Sequence, residues 1–278
     1  MITFTSLGSH GRLGNQFFQY AFLIGVSKKY NLQICLPDLN AKVSNNQTCL
    51  LNSFNIEYKP LNFNDIKYFC QEIELKSNSI FNTYNPQNIE NIHSGTDFLG
   101  LYQSYKYWID YKDEVKKQFT VKSIEILDTA KNKINELKKQ YNKPIIAVHL
   151  RRGDVTQYID YNEYKKYLST VLKNIKDSKN CFYYIFTGGS ADPIEDKKDI
   201  EWVKEFYKEL PYFEVCQTGN PILDFALIQE CDQIVLGYIS TFAWWAAFLS
   251  EKPTYVPQHF NINSELRLNY YPETFNIC

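Results

Sequence analysis

A chain of 278 residues with a net charge of −1 is long enough for one large domain or two small ones. Its 30 Lys and Arg are matched by 31 Asp and Glu, which leaves no basic footprint for nucleic acid. No apolar run approaches the roughly 20 residues of a membrane span, and the seven cysteines include no C-x-x-C pair, which argues against a metal or disulfide framework.

Residues 2–7 read as a strand, 15–30 as a helix and 31–36 as a second strand, so the chain opens with a βαβ unit. Residues 37–100 are irregular and rich in asparagine. In 123–141, Leu127, Ala130, Ile134, Leu137 and Tyr141 share one helical face, and Lys143-Pro144 ends that helix. Strands then follow at 145–150, 181–187, 212–216, 233–236 and 254–256, separated by helices at 161–176, 200–210, 222–231 and 241–250. This alternation predicts an α/β fold with a doubly wound parallel sheet. The expected division is 1–142 and 143–278, with the C-terminal tail free to pack back on the first part.

Three segments lie where a strand gives way to a helix, the place where open α/β sheets bind ligands. In Gly8-Ser9-His10-Gly11-Arg12-Leu13-Gly14-Asn15-Gln16, glycines permit positive φ and the helix start offers N–H groups. The spacing fits neither G-x-x-x-x-G-K-[ST] nor G-x-G-x-x-G. His149-Leu150-Arg151-Arg152-Gly153-Asp154 closes a buried strand and holds two of the four arginines in a chain with twenty-six lysines. Arginine used so sparingly marks a planar, bidentate grip on phosphate or carboxylate. Alternation sends the two arginines to opposite sides. One then reaches a crevice and the other pins the loop, with Asp154 as a nearby partner; two purely structural ion bridges are the alternative. In the third segment, 237–247, Ser240 is a helix N-cap and Thr241 opens the helix, a start suited to a phosphate or sugar oxygen. Trp244 and Trp245 pack that helix on the sheet. There is no D-x-D; the nearest approach, Asp199-Ile200-Glu201, is expected on a helix surface.

Together these segments resemble the α-1,2-fucosyltransferases of glycosyltransferase family 11. The matches are G-x-L-G-N-Q-x-F-Q-Y-A at 11–21, H-x-R-R-G-D at 149–154 and S-T-F-x-W-W-A-A at 240–247, with Gly100-Leu101-Tyr102-Gln103-Ser104-Tyr105-Lys106-Tyr107 as a fourth. The resemblance implies a GT-B-like architecture, two Rossmann-like α/β domains facing a central cleft. Residues 143–278 would bind GDP-β-L-fucose and 1–142 would lie on the acceptor side. It further implies inverting, metal-independent transfer to a galactose-terminated glycan, with no cofactor. By carry-over, Arg151 grips the diphosphate, Arg152 positions or shares that grip, and His149, Ser240, Thr241, Phe242 and Gly14 complete the donor site. Asn15, Gln16 and Gln103 fall on the acceptor side. Arg151, Asn15, Asp154 and His10 are the catalytic candidates, the last two together with an acid from the irregular middle as possible general bases.

The sequence departs from the family pattern where S-D-D usually follows the strand at 182–186; here it reads Thr187-Gly188-Gly189-Ser190-Ala191-Asp192. Tyr238 also replaces a usual polar residue two before Ser240. A fucosyltransferase of another linkage or acceptor, including a peptide hydroxyl, and a silent GDP-sugar-binding or glycan-binding module are the alternatives. The amino terminus shows no basic segment with a cleavage site. The expected location is therefore the cytoplasm, with peripheral contact to a lipid-linked glycan at the inner membrane face left open.

Overall fold

The computed structural model describes all residues except 10, 42–48, 74–83, 154–155, 157–158, 188–192, 239 and 259–269. The chain forms two compact units, Met1–Lys122 with Asn261–Glu273, and Ser123–Phe260 with Thr274–Cys278.

In the first unit, α1 (Leu13–Tyr30) is buried almost all round, from Leu13 through Val26, as befits a helix apolar on every face. Its end is set by Asn31 in the left-handed conformation, whose N–H returns to the Ser27 carbonyl. Three parallel strands pair in the order β1 (Ile2–Thr3), β5 (Thr96–Leu99), β4 (Tyr68–Gln71). β2 (Cys35–Leu36) and β3 (Lys59–Pro60) form a second parallel pair, joined to β1 through an Ile2–Ile34 bridge. α2 (Lys112–Gln118) follows. β1 stops after two residues, far short of the expected 2–7. Thr5 gives its backbone N–H and its hydroxyl to the buried Asp97 carboxylate, at 2.8 and 2.6 Å, which draws the chain out of the ladder.

The second unit begins with α3 (Ile124–Tyr141), capped by the Ser123 hydroxyl accepting from the Ile126 amide at 3.2 Å. There follow β6 (Ile145–His149), α4 (Tyr161–Asn174), β7 (Phe182–Phe186), α5 (Pro193–Phe206), β8 (Phe213–Val215), α6 (Pro221–Glu230), β9 (Gln233–Leu236), α7 (Thr241–Ser250), β10 (Thr254–Val256) and β11 (Asn276–Ile277). All six strands are parallel, in the order β11-β10-β9-β6-β7-β8. That is the Rossmann strand order, with its switch point between β6 and β9. Ile146, Val148 and Leu150 pack under Tyr164, Tyr167 and Val171 of α4, Val203 of α5 and Tyr207 just beyond it. Ile145 and Ala147, of the opposite parity, lie outside that cluster. α3 packs on α6 and α6 on α7.

The expected division after residue 142 moves to 122/123, because α3 packs on α6 and so belongs to the second unit. The tail is divided as well. Tyr270 stacks on Phe18 at 6.2 Å in the first unit, whereas β11 adds the outer strand to the second sheet. α5 starts seven residues before the expected 200, at a proline whose missing N–H costs nothing in a first turn.

Candidate functional site

At the switch point, His149 of β6 pairs with Leu236 of β9. The Gly237 N–H then donates to the His149 carbonyl at 2.6 Å. A Cβ at Gly237 would lie 2.2 Å from that oxygen, so only glycine lets the two chains come this close. α7 starts four residues further on, at Thr241. The buried Ser240 caps it, its Oγ accepting from the Ala243 amide at 3.1 Å. The N-terminus of α7 thus sits at the carboxyl ends of the strands, where its N–H groups favour an anion. Thr241 and Phe242 are half-buried in this first turn, and the Phe242 ring lies 6.0 Å from the His149 imidazole. Trp244 and Trp245 are fully buried, as packing residues should be. Tyr238 turns into the core, against Tyr164 and Tyr167.

His149 is neutral. Burial, reinforced by the Arg151 charge, pulls its pKa down to about 4. Its Nδ1 is buried with no hydrogen-bond partner among the described residues, and so is Thr187 Oγ1 at the end of the adjacent β7. Two polar atoms at neighbouring strand ends are therefore available to a ligand.

Arg152 falls on the side that alternation predicts, that of Leu150. Arg152 turns to the α4–α5 side: its Nε donates to Asp199 Oδ1 at 2.7 Å, and its Nη1 to the Tyr161 hydroxyl at 2.9 Å. Its guanidinium also lies 3.9 Å from the centre of the Trp202 ring. Arg151 shares the parity of His149 and lowers that residue's pKa by its charge. Two expectations change here. The partner of Arg152 is Asp199, while Asp154 lies outside the described residues. Asp199 is buried rather than on a helix surface, because an α5 residue meets the loop after β6. No local signal marks a partner 47 residues away.

In the first unit, Gly8 and Gly11 have φ of +89° and +97°, and α1 follows Arg12. A Cβ at Gly11 would lie 2.1 Å from Asn15 Nδ2, so that glycine makes room for the asparagine. Gly14 is buried in the first turn. Gln103 Nε2 donates to Asn15 Oδ1 at 2.8 Å, which brings the first and fourth motifs together. The Gln16 amide is spent inside the protein. It accepts from the Leu50 N–H at 2.9 Å and reaches the Gly11 carbonyl at 3.4 Å, which makes it a brace of the loop rather than an open contact. The 100–103 turn has its own support: buried Glu72 accepts from the amides of Leu101 and Tyr102 at 2.7 and 2.9 Å. Glu72 belongs to the irregular middle and carries no sequence signal for this task. His10 lies outside the described residues.

Known proteins with similar sequences and folds agree with one another. An α-1,2-colitosyltransferase from Escherichia coli is 20% identical over 273 residues, covering 86% of this chain and 85% of its own. A galactoside 2-α-L-fucosyltransferase from Bos taurus is 22% identical over 281 residues, covering 96% of this chain and 70% of its own. The fucosyltransferase NodZ from Bradyrhizobium superposes with a TM-score of 0.53 at 12% identity, covering 89% of this chain and 92% of its own, a likeness of fold. The model of "Glycosyl transferase family 11" matches residues 2–273. With the match running through both units, this chain belongs to glycosyl transferase family 11.

Proposed function

We propose that the protein is an inverting, metal-independent fucosyltransferase that moves L-fucose from GDP-β-L-fucose to the 2-hydroxyl of a terminal β-galactoside. The observation that carries this reading is the meeting of Arg151, neutral His149 and the Ser240-capped start of α7 at one switch point. In the reaction, the galactoside oxygen bonds to C1 of fucose from the face opposite the nucleotide. The bond from C1 to the β-phosphate oxygen breaks, and the electron pair leaves on GDP. Negative charge grows on that phosphate, and a fixed guanidinium stabilises it. Arg151 supplies the cation, the α7 amides add their dipole, and His149 and Thr187 offer neutral polar contacts. Thr241 and Phe242 line the same wall. Asp199, the start of the nearest approach to D-x-D, is committed to Arg152, which supports a mechanism without a carboxylate-held metal.

On the acceptor side, Asn15 and Gln103 form the polar pair, with Gln16 and Gly14 shaping the loop. The proton of the attacking hydroxyl passes to a general base, for which His10 and Asp154 remain the candidates. The test is GDP release from GDP-fucose with a panel of β-galactosides in EDTA, followed by linkage determination of the product. Release no faster than without acceptor across the panel sinks the proposal. The name of the E. coli relative favours one second reading, in which the α-1,2 linkage is kept and the donor carries colitose. Direct competition between the two GDP-sugars separates them.

A further inference from the structure

The cage around Arg152 is built more fully than an ion pair needs. Asp199 and Arg152 expose only 11% of their side chains each. Tyr161, the first residue of α4, hydrogen-bonds the guanidinium and packs its ring 4.5 Å from Trp202. Trp202, one turn beyond Asp199 on α5, stacks on Phe206 at 4.8 Å and 20°. The start of α4 and the middle of α5 therefore converge on one guanidinium, fixed through an ion pair, a hydroxyl and an aromatic face. Buried pairs of this kind add little net stability, since desolvation offsets the attraction. What such a cage provides is a single geometry. Arg152 is bonded to Arg151 through one planar peptide, so fixing one restricts where the other can go.

We propose that Asp199, with Tyr161 and Trp202, is a positioning residue for donor activation: it locks Arg152 to α4 and α5 and thereby holds Arg151 at one place and angle. This rests on the reading of Arg151 as the diphosphate grip. Transition-state stabilisation depends on donors that are fixed before charge develops, and small misplacements are costly.

The test uses the full chain with Asp199→Asn, Asp199→Glu, Tyr161→Phe and Asp199→Asn/Arg152→Met. Steady-state kinetics, GDP affinity by calorimetry, thermal midpoints and hydrogen exchange at residues 150–153 are the readouts. Asp199→Asn is expected to lower kcat by about 10- to 100-fold, a loss larger than its loss of GDP affinity. Asp199→Glu recovers part of that activity, and adding Arg152→Met costs nothing further because both act through the same cage. Tyr161→Phe keeps the ring and removes one hydrogen bond, so a smaller loss of about 3- to 10-fold follows. A folded Asp199→Asn with kcat and 150–153 exchange like the parent overturns the proposal. If that variant does not fold, Tyr161→Phe decides in the same way. Should the parent transfer no fucose at all, the proposed function fails separately. Exchange and GDP affinity then decide: faster exchange with weaker binding in the variants supports the positioning role, and no change ends it.

Discussion

Gln103 donates its side-chain amide to the side-chain oxygen of Asn15 at 2.8 Å, across 88 residues of sequence. The bond fixes which way the Asn15 amide faces, with its Nδ2 on the Gly11 side. Gln103→Leu removes the donor while keeping the side chain's bulk. Losing one such bond is worth about 0.5–1.5 kcal/mol. The expected result is a rise of about 3- to 10-fold in KM for the galactoside, with GDP affinity unchanged by calorimetry. A change confined to the donor would place Gln103 on the wrong side of the reaction.

Arg151→Ala is expected to cost about 10²- to 10³-fold in kcat, the usual effect of deleting one preorganised partner of a developing oxyanion. Arg151→Lys restores charge without the planar fork and recovers only part of it. Steady-state rates with GDP-fucose and a β-galactoside give the answer. Undiminished turnover in Arg151→Ala removes the residue from the mechanism.

Gly237→Ala tests the close approach at the switch point. The new Cβ would meet backbone, the His149 carbonyl at 2.2 Å, and backbone in mid-sheet cannot yield cheaply. Overpacking of this kind destabilises by about 1–3 kcal/mol. Urea unfolding should show a lower midpoint at an unchanged slope. Donor affinity should fall too, since Ser240 follows three residues later.

His149 makes stability depend on pH. Its folded pKa of about 4 lies below the ordinary 6.5, so the unfolded chain takes up a proton first as pH falls. Its contribution is complete above the unfolded pKa and is lost as pH drops from 6.5 toward 4. Between pH 7 and 5 this one group should remove about 2 kcal/mol. His149→Gln should flatten that part of the profile in urea melts at the two pH values. A parallel slope in both proteins would assign the acid sensitivity elsewhere.

The second unit was readable because each element carries its own signal. Buried strands such as Ile145-Ile146-Ala147-Val148 alternate with capped helices, and parity alone sent Arg152 to the α4–α5 side. The first unit was less readable, because the end of β1 and the turn after β5 are held by side chains reaching backbone from afar. Thr5 is held by Asp97, and the 100–103 turn by Glu72. Periodicity carries no trace of such bonds. Gln16 shows the same limit within a motif: its place was legible, but its partner, the Leu50 amide, was not. β11 escaped notice because two residues joining a sheet edge make no pattern.

The path of the C-terminal tail restricts how this enzyme can be recombined. The chain passes between the units at 122/123, 260/261 and 273/274. A piece ending at 122 lacks Tyr270, which stacks on Phe18, and a piece spanning 123–260 lacks both β11 and Phe275, whose ring lies 5.9 Å from Trp244. Exchange of one unit between family members by a single crossover therefore leaves mismatched parental surfaces in both units. A chimera that keeps each unit's packing from a single parent needs three junctions, so modular swapping here is a matter of splicing the tail as well as the middle.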